Sequence, residues 1–111
     1  MDLETLREEI RKKDSMIIEL IAERTALAEE IAKVKIETNE PLRNLEVEKK
    51  VITRYIDEGV SKGLSADTMK TVASALITEA VESESRLMNE DSGNLPAIGN
   101  ADRQHLADDN K

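Results

Sequence analysis

The sequence predicts an all-α chain of three helices, one of them very long, and three observations support this. Apolar residues recur with a helical period at Leu3, Leu6, Ile10, Ile17, Leu20, Ile21, Leu27, Ala28, Ile31 and Val34, with no Gly or Pro among them. Two shorter stripes of the same period follow. Turn residues at Asn39, Glu40 and Pro41, and again at Gly63, separate the stripes.

The first helix is predicted from Asp2 to Thr38, stopped by Asn39, Glu40 and Pro41. The second begins near Leu45. Asn44 is its N-cap, and Glu46 and Glu48 suit the positive end of its dipole. Its apolar face is Val51, Ile52, Tyr55, Ile56 and Val60, and Gly63 ends it. Ser65 caps the third, whose stripe is Met69, Val72, Ala73, Leu76, Ile77, Ala80, Val81, Leu87 and Met88. The run SGNLPAIGNADRQHLADDNK then has no period and is rich in small, polar and turn residues. The chain thus divides into a helical domain over 1–90 and a polar tail over 91–111, expected to be disordered.

Length carries an architectural argument. A first helix of about 37 residues spans roughly 55 Å. A compact domain of about 90 residues has a radius of gyration near 12 Å, hence a diameter of roughly 30 Å. The helix must outreach its own domain, and its stripe would face water. A second copy packed along it removes that cost, so an intertwined homodimeric bundle is expected, with a longer coiled-coil assembly as the alternative.

Composition narrows the function. The 111 residues carry a net charge of −8, no Cys, no Phe or Trp, and one His. Disulfides, thiolate metal sites and His-based catalysis are excluded. Nucleic-acid binding wants a basic face and stacking aromatics, and is disfavoured. No apolar run reaches the roughly 18 residues of a membrane span, and MDLETLREEI lacks the layout of a signal peptide. A cytoplasmic chain without membrane contact is the expectation. A small anion remains a compatible ligand, provided its cations are focused locally.

Such cations are visible. Ile17, Ile21, Ala28, Ile31 and Lys35 all fall within roughly 60° of Arg24 on a helical wheel, so Arg24 and Lys35 both interrupt the apolar stripe. Glu48 heads the apolar face of the second helix, and Glu84 sits on that of the third. Inward charges are costly unless matched. Either they neutralise one another, with Arg24 and Lys35 against Glu48 and Glu84 in a register-fixing network, or the cations await an anionic ligand. Arg7 is a further candidate. It lies 17 residues before Arg24, about 25 Å along the axis, so only the Arg7 of an antiparallel partner could join a site there. Asp14 at the stripe edge, and Glu8, Glu9, Arg11, Lys12, Lys13, Glu29, Glu30 and Lys33, read as solvated surface.

At these residues a resemblance emerges. LREEIRKKDSMIIELIAERTALAEEIAKVK followed by NEPLRNLEVEKKVI resembles the all-helical chorismate mutases, over about residues 3–88. The specific parts are Leu6, Ile10 and Asp14 in the opening, the segment Ile21–Ala28, Lys35, and the turn Pro41–Asn44. The resemblance implies an intertwined homodimer of three-helix chains that rearranges chorismate to prephenate without cofactor or metal. It implies that Arg24 and the partner subunit's Arg7 bind the substrate carboxylates, Lys35 donates to the ether oxygen, and Glu48 accepts from the hydroxyl. Glu84 falls at the other donor to the ether oxygen, and Asn44 and Ala80 at secondary contacts.

The chain departs from the bacterial pattern at four positions. Glu84 stands where Gln is usual, Val47 where Arg is common, Asn44 for Asp, and Ala80 for Ser. Lys49 or Lys50 is a nearby cation that could replace the missing Arg. Two alternatives stay open: an isochorismate-pyruvate lyase using the same carboxylate clamps, and a non-catalytic helical dimer whose buried charges are structural.

Overall fold

The computed structural model describes residues 1–91. Nearly all of the expected polar tail lies outside the described residues. Three helices follow in order: α1, Leu3–Glu37; α2, Leu45–Ser61; and α3, Ala66–Asp91. Each boundary agrees with its predicted signal to within a residue or two.

The ends show why. Asp2 caps α1, its carboxylate accepting from the Thr5 N–H at 2.8 Å. At the other end Asn39 takes a left-handed conformation, φ 61°. Its N–H donates to the Ile36 carbonyl at 3.2 Å and the Glu40 N–H donates to the Lys35 carbonyl at 2.8 Å. That is a Schellman stop, with Asn in the place Gly usually takes. The same motif closes α2: Gly63, at φ 84°, donates to Val60, and Leu64 donates to Gly59 at 2.9 Å. Asn44 caps α2 through Glu46 and Val47 N–H groups at 3.1 and 3.2 Å. Ser65 Oγ accepts from Thr68 N–H at 3.2 Å to start α3.

α3 is the central element. α1 and α2 each pack on it and not on one another. Arg24 meets α3 at Leu76, and Glu29 meets it further on at Ser83, so α1 and α3 run in the same sense. Gly59 lies against Met69, near the start of α3, so α2 runs the opposite way. The contacts are close because the crossing residues are small: Ala32 and Ala73 are fully buried. Ser83 is also buried and donates to the Glu29 carboxylate. Glu29, expected on the solvated face, is therefore half-buried and tied to α3. Glu30 and Lys33 do form the exposed surface pair expected of them, at 2.9 Å.

This arrangement leaves a slim object of 54 × 33 × 19 Å with a radius of gyration of 17.2 Å, well above the roughly 12 Å of a compact chain this size. Leu3, Ile10, Ile17, Leu20, Leu27, Ile31 and Val34 are each at least 54% exposed. The α1 stripe outreaches its own chain, as its length demanded.

Candidate functional site

Because α1 and α2 both lean on α3 without touching, a cleft of about 260 Å³ opens between them, floored by α3. Arg24 and Lys35 enter from α1, Asn44 from the α1–α2 linker, Glu48 from α2, and Ala80 and Glu84 from α3. Leu27, Ile31, Val47, Val51, Ile77 and Val81 supply apolar wall. Six residues singled out in the sequence thus share one cavity. Arg7 does not. Its side chain is 59% exposed on the projecting half of α1, within 4.0 Å of Glu4.

The charges do not cancel in the way an internal network requires. Arg24 donates to the Leu76 carbonyl at 3.4 Å, a long bond, and Lys35 donates to the Leu42 carbonyl at 2.9 Å. Among the described residues neither forms an ion pair with an acid. A network of Arg24 and Lys35 with Glu48 and Glu84 is therefore not what the fold builds. Each cation is aimed by a backbone oxygen, with N–H donors to spare.

Glu48 is matched elsewhere. Arg43 Nε donates to one of its carboxylate oxygens at 2.9 Å and Nη2 to the other at 3.1 Å. This pairing, which also raises the Arg43 pKa, supplies Glu48 with a cation that the sequence had offered only as Lys49 or Lys50. Lys49 instead reaches Glu46 on the exposed face, at 3.9 Å, and Lys50 lies on that face too. Sequence reasoning missed Arg43, yet a signal existed. Asn44 is the N-cap, so Arg43 is N′ and Glu48 is N4, the two positions that a hydrophobic staple brings together. Here an ion pair fills that geometry.

Glu84 is 9% exposed. Burial raises its carboxyl pKa, Lys35 lowers it, and the Glu48 charge raises it again. Burial prevails, favouring the protonated form. The cleft therefore offers two basic groups with free donors, the Glu48 carboxylate as an acceptor, a Glu84 carboxyl whose pKa burial raises, and apolar wall. Such a set can grip a small anion that also carries a hydroxyl.

Comparison with known proteins agrees with this chemistry. Residues 6–85 match the family chorismate mutase type II. The bifunctional chorismate mutase/prephenate dehydratase of Buchnera aphidicola subsp. Schizaphis graminum is 32% identical over 88 residues, covering 79% of this chain and 23% of the relative. Its counterpart from Buchnera aphidicola subsp. Acyrthosiphon pisum is 34% identical over 82 residues, 74% of this chain and 21% of the relative. That of Escherichia coli K12 is 30% identical over 85 residues, 77% and 22% respectively. The chain spans less than a quarter of the length of these curated relatives.

Proposed function

This chain belongs to the chorismate mutase type II family, and we propose that it rearranges chorismate to prephenate in the cleft between α1 and α2, within aromatic amino-acid biosynthesis in the cytoplasm. The supporting observation is the convergence of Arg24, Lys35, Glu48 and Glu84 on one cavity, with neither cation paired to an acid.

The reaction is a concerted shift within one molecule: a C–O bond of the enol ether breaks as a C–C bond forms. The protein's work is to hold the flexible dianion compactly and to stabilise charge growing on the ether oxygen. Arg24 grips one carboxylate by its planar fork. Lys35, aimed by Leu42, donates to the ether oxygen. Glu84, in protonated form, donates to the same oxygen, which an ionised carboxylate would repel. Glu48 accepts from the substrate hydroxyl, and Asn44 and Ala80 make secondary contacts. Preorganised donors of this kind are worth about 3 kcal/mol each in a water-poor site.

The second carboxylate is left to the partner subunit's Arg7. A homodimer covering the bare α1 stripe supplies it, since Arg7 of the same chain is about 25 Å too far along the helix. The test is a chorismate-disappearance assay on purified protein across pH, with the product identified. Prephenate supports the proposal. Chorismate left untouched while isochorismate yields pyruvate would replace it with the lyase reading, and no turnover of either would leave a non-catalytic dimer.

A further inference from the structure

We infer that Arg43 is a positioning residue for this cleft: from outside the cavity its guanidinium fixes the orientation of the Glu48 carboxylate and withholds it from Lys35. The inference rests on the proposed function for what Glu48 accepts, but not for the clamp itself.

Arg43 lies in the linker and does not line the cavity, whereas Glu48 does. The Arg43 side chain is 59% exposed and that of Glu48 19%, so the pair straddles the cleft rim. Two N–H donors meet two oxygens, Nε on one and Nη2 on the other. Guanidinium only donates, so both oxygens act as acceptors, and the two-point grip fixes the plane of the carboxylate with a lone pair on each oxygen still unused.

The alternative partner stands in the same cavity. Lys35 enters from α1 with one carbonyl bond and N–H donors to spare, and Glu84 enters from α3. A Glu48 carboxylate released from Arg43 is free to turn towards the Lys35 ammonium. That would close the internal ion pair the fold otherwise avoids and occupy both groups. The linker thus sets both sides of the cleft, with Leu42 steering Lys35 and Arg43 steering Glu48. The Arg43 side chain is itself 59% exposed, so its own burial adds little to folding.

The test pairs kinetics with a substrate-free signal. Arg43→Ala is expected to lower kcat/KM about tenfold or more while leaving the urea midpoint near that of the wild type. Arg43→Lys should recover part of the loss, restoring charge without the fork. In a Glu48→Gln background, Arg43→Ala should cost less than about twofold, because an arm that acts only through Glu48 has nothing left to hold. Wild-type kcat and KM in Arg43→Ala, or an equal loss in both backgrounds, would overturn the inference. Separately, the Arg43 Nε–H signal in side-chain nitrogen NMR should move in Glu48→Gln and not in Glu84→Gln. If Glu48→Gln leaves it unmoved, the clamp is refuted whether or not chorismate is turned over. If it moves in a protein that turns over nothing, the clamp stands and the proposed function falls.

Discussion

Lys35 shares a cleft with Glu84 but does not neutralise it: the ammonium donates to the Leu42 carbonyl at 2.9 Å, and burial keeps the Glu84 carboxyl pKa above its ordinary value despite the opposing pull of Lys35. The ammonium keeps donors to spare, and burial favours the protonated form of the carboxyl over what it would be in water. Both can then donate to one oxygen, which two paired ions could not.

The first prediction is a pH dependence. Glu84 donates only while protonated, so activity should be full below its raised pKa and fall as pH rises through it. Glu84→Gln keeps an N–H donor and should flatten that limb. A wild-type profile that stays flat from weakly acidic to alkaline pH would refute the role.

Stability should follow the same group. A folded-state pKa raised above the unfolded value contributes stability that is fully present below the unfolded pKa and is lost as pH rises through the folded one. Thermal melts of Glu84→Gln and wild type should therefore diverge across that window, with the Gln variant the more stable on its alkaline side. A gap that does not grow with pH would count against the burial argument.

Lys35→Ala should lower kcat at least a hundredfold with α-helical content and assembly size unchanged, because Lys35 makes one backbone bond and no ion pair. Circular dichroism and light scattering beside the assay check this. Unfolding of the variant would point to a structural Lys35.

Sharing of the site between subunits is testable by mixing. Arg7→Ala and Arg24→Ala homodimers should each be nearly inactive. Co-refolded together, half the molecules are heterodimers with one intact site of two, which restores about a quarter of wild-type activity. No recovery would place Arg7 outside the site.

Gly59→Ala probes the crossing that splays α2 from α1. A Cβ at Gly59 would overlap the Met69 side chain. Overpacking typically costs about 1–3 kcal/mol, against about 1 kcal/mol gained in helix propensity. A net loss of about 1 kcal/mol in urea unfolding is expected, and a more stable variant would show that Met69 moves aside freely.

Most of the fold was legible because its signals are local. The Asn39 and Gly63 stops, the Asp2, Asn44 and Ser65 caps, and the α1 stripe each act within one turn of chain, and all three helices follow from them. Periodicity also showed that Arg24, Lys35, Glu48 and Glu84 point inward, since a helical face is fixed by spacing alone. It could not show which inward charges meet. Helix crossing set that outcome. Small residues such as Ala32, Ala73 and Gly59 draw α1 and α2 onto α3, leaving a cleft where an ion-pair network was equally consistent with the sequence. Backbone oxygens of Leu76 and Leu42 then took the cations, Arg43 took Glu48, and Ser83 drew Glu29 inward. Carbonyl positions and rotamer reach depend on the packed backbone, so only the tertiary structure could decide them.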